Sequence, residues 1–254
     1  MTRWKLTVEY DGRGFSGWQR QDNMPSVQQS LEEAITKFCQ QDIRVHAAGR
    51  TDAGVHAWGQ VAHFDLDYGT RPLSGFELAK ALNAHLGDAP ASVVAAQEAD
   101  PEFHARFQAI NKLYTYRIVN RSARPALDDG RAWHVKKKMD VAAMQAGAVH
   151  LVGHHDFTTF RATECQAKSP LRTLNRLEIE AQPYDSHGGV EIRIHAEGRS
   201  FLHHQVRNMV GTLTLVGEGK WAPEEIKTAL GARDRAKGGP TSPPDGLYLV
   251  RIDY

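Results

Sequence analysis

"WKLTVEYDGRGFSGWQRQDNMPSVQQSLEEAITKF", residues 4 to 38, holds the pattern from which the fold is read. Trp4, Leu6, Val8 and Tyr10 alternate with Lys5, Thr7 and Glu9, the period of a strand with one buried face. Asp11 and Gly12 end it, and a glycine-rich loop follows. Ser26 and Gln29 have the spacing of a capping box, after which Val27, Leu31, Ala34, Ile35 and Phe38 form an apolar helical stripe. Strand, loop and helix follow one another directly.

The same rhythm continues outward. "IRVHAA" and "GQVAHFDL" read as short strands, a second capping box at Ser74 and Glu77 opens a helix through Leu78 and Leu82, and "SVVAAQEA" returns as a strand. In the second half "KLYTYRIV" alternates as a strand, and Asp140 caps a helix through Val141, Met144, Ala148 and Leu151. "LNRLEIEAQ" and "GVEIRIHAEG" read as a strand pair. Val206, Val210, Leu213 and Val216 make a helical stripe, Pro223 is placed at the first position of a further helix, and "GLYLVRIDY" closes as a strand. "AKGGPTSPPDG" before it reads as an exposed loop. The expected fold class is α+β: two ferredoxin-like (RRM-like) βαβ-βαβ subdomains, residues 1 to 105 and 106 to 254, joined into one mostly antiparallel sheet with a central cleft.

Composition bounds the function. The chain has 254 residues, 41% of them hydrophobic and 24% charged, which suits a folded core. No N-terminal apolar run or membrane-length stretch occurs, so a cytoplasmic location is expected. Cys39 and Cys165 lie far apart with no CxxC, which argues against both a disulfide framework and a zinc site. The net charge of +1 gives no sign of a polyanionic partner; nucleic-acid binding would need a local basic cluster.

The stretch "AGRTDAGVHAWGQVAHF", residues 48 to 64, crowds Arg, Thr, Asp, Gly and His between two apolar runs. Gly49 and Gly54 bracket a tight loop that presents Asp52 with Arg50 close by, and a carboxylate beside a guanidinium suits a nucleophile or an electrostatic stabiliser; the plainer reading is an ordinary turn. His56 and His63 evoke a metal, but no third and fourth ligand is evident, so no metal is expected. In "FSGWQRQ", Phe15, Trp18, Gln19 and Arg20 combine aromatic, amide and guanidinium groups, the set that grips loop RNA, or else a loop pinned by buried aromatics. Tyr114 and Tyr116 share one face of a strand, so one can stack on a base while the other packs. Arg207, flanked by apolar residues at a helix start, needs a carboxylate or phosphate partner, and Asp52 is a candidate. His203 and His204 read as polar surface or RNA contact.

Together "YDGRGFSGWQRQ", "AGRTDAGVHAWGQVAHF", "FHARF", "YTYRI", "HHQVRNMVG" and "GLYLVRIDY", in that order along the chain, resemble the tRNA pseudouridine synthase A family. The resemblance implies isomerisation of uridine to pseudouridine at positions 38, 39 and 40 of the tRNA anticodon stem-loop, by a homodimer without cofactor or metal. It places the catalytic aspartate on Asp52, the substrate-stacking tyrosine on Tyr114 and the basic partner of the aspartate on Arg207. Arg50 would contact the RNA or brace the loop. Lys112-Leu113 stands before the tyrosine strand where the family has two basic residues. Two rivals remain: a non-catalytic RNA-binding module, for which no RNP-type segment is found, and a hydrolase with paired carboxylates, for which Asp65 and Asp67 are the near acids.

Overall fold

The first strand realises its alternation side chain by side chain in the computed structural model, which describes residues 1–69 and 72–254. In β1 (Thr2–Tyr10), Trp4, Leu6, Val8 and Tyr10 are buried, while Lys5 and Thr7 are half-buried and Glu9 is exposed. The chain divides into a unit of residues 1–110 with 248–254 and a unit of residues 111–247.

In the first unit β1 leads through a one-turn helix at Gly12–Gly14 and a loop to α1 (Val27–Cys39). Then come β2 (His46–Ala47), β3 (His56–Leu66), α2 (Gly75–Leu86) and β4 (Ala91–Ala99). β3 and β4 flank β1, both antiparallel to it, and β2 pairs antiparallel with β3. The terminal strand, Leu247–Asp253, runs parallel to β3 with Tyr248 opposite His56. Val27, Leu31, Ala34 and Ile35 of α1 and Leu78, Leu82 and Leu86 of α2 supply the buried helical stripes. Each such side chain contributes about 1.5–3 kcal/mol by leaving water.

Both helix starts carry their serine caps, with different outcomes. Ser74 and Glu77 form a complete capping box. Ser26 accepts from Gln29 N, but the Gln29 side chain turns down the helix and donates to Glu33 Oε1 at 2.8 Å. An ionised carboxylate one turn on is the stronger partner for that amide. "IRVHAA" is a strand over His46 and Ala47 alone.

The second unit begins with β5 (Asn111–Asn120), β6 (Trp133–Val135) and α3 (Val141–Ala148), whose first turn Asp140 caps through Ala143 N. β7 (Gly153–Asp156) and β8 (Leu171–Leu174) form a small antiparallel sheet of their own. After them come β9 (Arg176–Pro183), β10 (Val190–Gly198), α4 (Gln205–Gly217) and α5 (Glu225–Ala232). β10 lies between β5 and β9, antiparallel to both, and β6 runs parallel to β5. The fold is therefore mixed α+β with mostly antiparallel sheet.

Two sequence readings are corrected in this unit. Pro223 precedes α5 in a turn, with Ile226 N bonded to Pro223 O, so the helix itself starts at Glu225. The segment "AKGGPTSPPDG" is no exposed loop throughout: Gly239, Ser242 and Gly246 are buried. Gly239 N donates to Thr212 Oγ1 at 2.9 Å and Thr241 Oγ1 to Asn208 Oδ1 at 2.6 Å, so this stretch is strapped along α4. A Cβ on Gly211 of α4 would fall on the Pro240 carbonyl, so the helix surface there must be bare backbone.

Among the described residues, no helix is long and apolar enough to cross a membrane. Cys39 and Cys165 are free thiols.

Candidate active site

Asp52 sits half-buried in the turn between β2 and β3, closed by a bond from Val55 N to Asp52 O at 3.1 Å. Its immediate neighbours fix this turn. Thr51 Oγ1 is hydrogen-bonded to the Tyr10 hydroxyl at 2.8 Å, and Gln60 Nε2 donates to Gly49 O at 2.8 Å and to the Tyr10 hydroxyl at 3.4 Å. Tyr10 is buried, and desolvation pushes its pKa up to about 12 despite hydrogen bonds from Thr51 and Gln60. The phenol therefore keeps its proton across the working pH range.

The glycine-rich loop after β1 closes on the same turn from outside. Trp18 N donates to Thr51 O at 3.1 Å. Gly17, with φ of +97°, passes so close that a Cβ there would lie 2.7 Å from Thr51 O. Gly12 N donates to His56 Nδ1 at 3.0 Å. Phe15, 7% exposed, and Trp18, 2% exposed, both pack on the Tyr10 ring. They are the buried pins of the loop, and neither ring offers a face to RNA.

Gln19 is half-buried, and Arg20 is exposed with its guanidinium on Glu32 Oε2 of α1 at 3.0 Å. Arg50 is exposed. His56 and His63 stand seven residues apart on β3, roughly 23 Å by strand rise, and do not share an ion. His63 Nδ1 accepts from Ala105 N at 3.3 Å, and burial together with His104 and His46 lowers its pKa to about 4. Asp65 is nine residues beyond His56, roughly 30 Å along the strand, and forms a two-pronged bond with Arg3 at 2.8 Å for each prong. This removes the nearest partner that a paired-carboxylate hydrolase would need.

In the second unit Tyr114 and Tyr116 share a face of β5, as alternation requires, and differ in burial. Tyr114 is half-buried and meets Phe201 edge-on at 5.2 Å between ring centres. Tyr116 is fully buried, and its hydroxyl donates to Pro243 O at 2.7 Å. Phe201 leads into His203, which is exposed, and His204, whose φ of +60° turns the chain into α4.

Arg207 lies half-buried in the first turn of that helix. Its Nε donates to Ser242 O at 2.8 Å, and Ser242 N donates back to Arg207 O at 3.2 Å. Consecutive carbonyls of the strap thus receive the arginine and the buried tyrosine. Tyr10, Gln60 and Ser242 do not stand out in the sequence as parts of a site, and of the two strand tyrosines Tyr116 is the one that packs. Alternation marks Tyr10 and Tyr116 as buried-face residues, but no local signal marks Gln60 or Ser242.

A profile of tRNA pseudouridine synthases matches residues 6–108 and 148–254. Full-length relatives carry the name tRNA pseudouridine synthase A. The one from Paramagnetospirillum magneticum is 57% identical, covering all of this chain and 96% of its own. That from Rhodospirillum rubrum is 54% identical, with 100% and 88% coverage, and that from Rhodospirillum centenum is 53% identical over both chains entirely. The chain belongs to the tRNA pseudouridine synthase family.

Proposed function

We propose that this protein isomerises uridine to pseudouridine in tRNA, at positions 38, 39 and 40 of the anticodon stem-loop, with Asp52 as the nucleophile. Family membership supports the reaction, and one observation supports the residue: the Asp52 turn is braced by Tyr10, Gln60 and Trp18. A nucleophile gains most from such bracing, because effective molarity falls steeply with misplacement.

The target base must first leave the stem, at a cost of a few kcal/mol in stacking and pairing. Tyr114, half-buried on its strand, receives the flipped uracil by stacking. Asp52 attacks either C6 of the base or C1′ of the ribose and the N1–C1′ bond breaks; the uracil turns and C5 bonds to C1′ as the bond to Asp52 is released, and the C5 proton is lost while N1 takes one up. Arg207 pairs with the Asp52 carboxylate and orients it. Arg50, Gln19, Arg20 and His203 contact the RNA, with Arg50 also bracing its own loop. Neither metal nor cofactor is required for these steps.

In this reading the two halves, residues 1 to 105 and 106 to 254, are ferredoxin-like subdomains joined into one sheet with the site in the cleft between them. The antiparallel order β4-β1-β3-β2 of the first unit supports that assignment. The working form is a cytoplasmic homodimer. Incubation of the protein with an unmodified tRNA transcript separates the alternatives: a mass-silent change of uridine at positions 38 to 40 is expected. Release of free uracil would instead mean a hydrolase, and no change at all a binding module.

A further inference from the structure

The β7–β8 hairpin carries two arginines that the proposed mechanism leaves unused, Arg161 in the joining loop and Arg172 on β8. Arg161 is fixed beside the start of α4 by its two neighbours. Asn208 Nδ2 donates to Phe160 O at 2.9 Å, and Ala162 N donates to His203 O at 3.0 Å. Its Nη2 donates to Cys165 O at 2.7 Å. Arg172, opposite His155 in the β7–β8 pair, donates from Nη1 to Ser169 O at 3.0 Å and to Leu171 O at 2.6 Å.

Among the described residues, backbone carbonyls are the only acceptors these two guanidiniums have, and neither meets a carboxylate within ion-pair distance. Arg172 Nε is buried without an acceptor. Burial pulls the Arg172 pKa below the usual guanidinium value, and Arg161 adds to that while Cys165 opposes it. The acid nearest in sequence, Asp156, is already engaged: it accepts from Thr158 N at 2.9 Å and Thr158 Oγ1 at 2.6 Å, and faces Arg233 Nε at 3.7 Å. Asp156 lies within electrostatic reach of Arg161 but forms no ion pair with it, and guanidiniums without a paired anion are costly to hold. Their planar forks match the tetrahedral oxygens of a phosphate.

We propose that Arg161 and Arg172 form a clamp for one phosphodiester of the RNA substrate, close to the nucleotide presented at the start of α4. The proposal rests on the tRNA substrate assigned above and adds a contact to it. A bare positive surface would bind RNA anywhere along a groove, whereas Arg161 sits on a loop tied to the start of α4 through Phe160 O and Ala162 N, with Arg172 on the adjoining strand, so the pair sets where along the backbone the RNA is gripped.

The test is the salt dependence of affinity for an unmodified tRNA transcript. Arg161→Gln and Arg172→Gln are each expected to reduce the magnitude of the slope of log Kobs against log salt by about 0.7–0.9, and to weaken binding at low salt. Arg172→Lys keeps the slope and loses part of the affinity, because an ammonium cannot make the forked contact; it also serves if the Gln variants fail to fold. A second arm uses modification of the wild type by phenylglyoxal. Anticodon stem-loop RNA is expected to protect Arg172, and inorganic phosphate at the same phosphorus concentration is not. Unchanged slopes in folded Gln variants, an Arg172→Lys slope as shallow as that expected for Gln, or equal protection by free phosphate overturn the clamp. A wild type with no salt-dependent tRNA affinity overturns the functional reading as well.

Discussion

The Asp52 turn and the start of α4 each hold a proposed site residue, and they are built in opposite ways. Around Asp52 the bracing comes from side chains: Tyr10 and Gln60 hold Thr51 and Gly49, the residues that lead into the turn. At Arg207 the bracing is backbone: Ser242 O takes the guanidinium directly, and Pro243 O takes Tyr116. Fixing the residues next to a nucleophile positions its carboxylate through the backbone. A guanidinium has five donors, so a bond to the scaffold is compatible with a contact to a carboxylate or phosphate.

The comparison yields expected outcomes in decreasing size. Arg207→Ala removes the charge and leaves the strap carbonyl open. We expect kcat for tRNA to fall about 10²-fold or more, the scale of losing one electrostatic stabiliser, with a smaller change in KM; a kcat within threefold of wild type would remove Arg207 from the site. Tyr10→Phe keeps the buried ring and deletes the bond to Thr51. Stability is expected to fall by about 1–2 kcal/mol in urea titration, and kcat by about tenfold, since small displacements of a reacting group are costly. Tyr116→Phe acts one step further from chemistry, through the strap. It is expected to lower kcat about threefold and to have no added effect in an Arg207→Ala background; an additive loss there would mean that the hydroxyl acts elsewhere.

An effect on stability alone is expected at Glu191, buried on β10. Burial raises its pKa, but hydrogen bonds from Arg193, Arg117 and Gln182 outweigh that and hold it at about 2. Its folded pKa lies below the unfolded value, so its stabilisation is present above about pH 4.5 and is lost as pH falls towards 2. Wild-type Tm should therefore drop more between pH 5 and 2.5 than that of Glu191→Gln. Parallel curves would show that Glu191 carries no pH-linked stability.

Local pattern carried much of this molecule into view. The alternation in β1, the cap at Ser74 and the stripe of α4 are set by neighbours within one or two turns, and period and capping chemistry report those directly. Trp18 and Phe15 illustrate the limit. An aromatic in a glycine-rich loop has the same local sequence whether it faces RNA or pins the loop, and only the Tyr10 ring beneath them decides it. The strap failed to show for a related reason: Gly and Pro mark it as irregular, but its burial depends on Gly211 and Thr212 of α4, whose bare backbone and hydroxyl receive it. Equally hidden is the parallel pairing of the terminal strand with β3, a contact across most of the chain. Of the proposed site, Asp52 stands out in the sequence through its crowded motif, whereas Gln60, one more polar residue in a strand, does not.

The central claim is that Asp52 performs the chemistry on a turn that others hold in place. Its most direct test is Asp52→Asn, nearly isosteric, assayed on a transcript labelled with tritium at C5 of uridine. The account predicts wild-type tRNA affinity within a fewfold and no tritium release above background; release at a rate near that of wild type would contradict it.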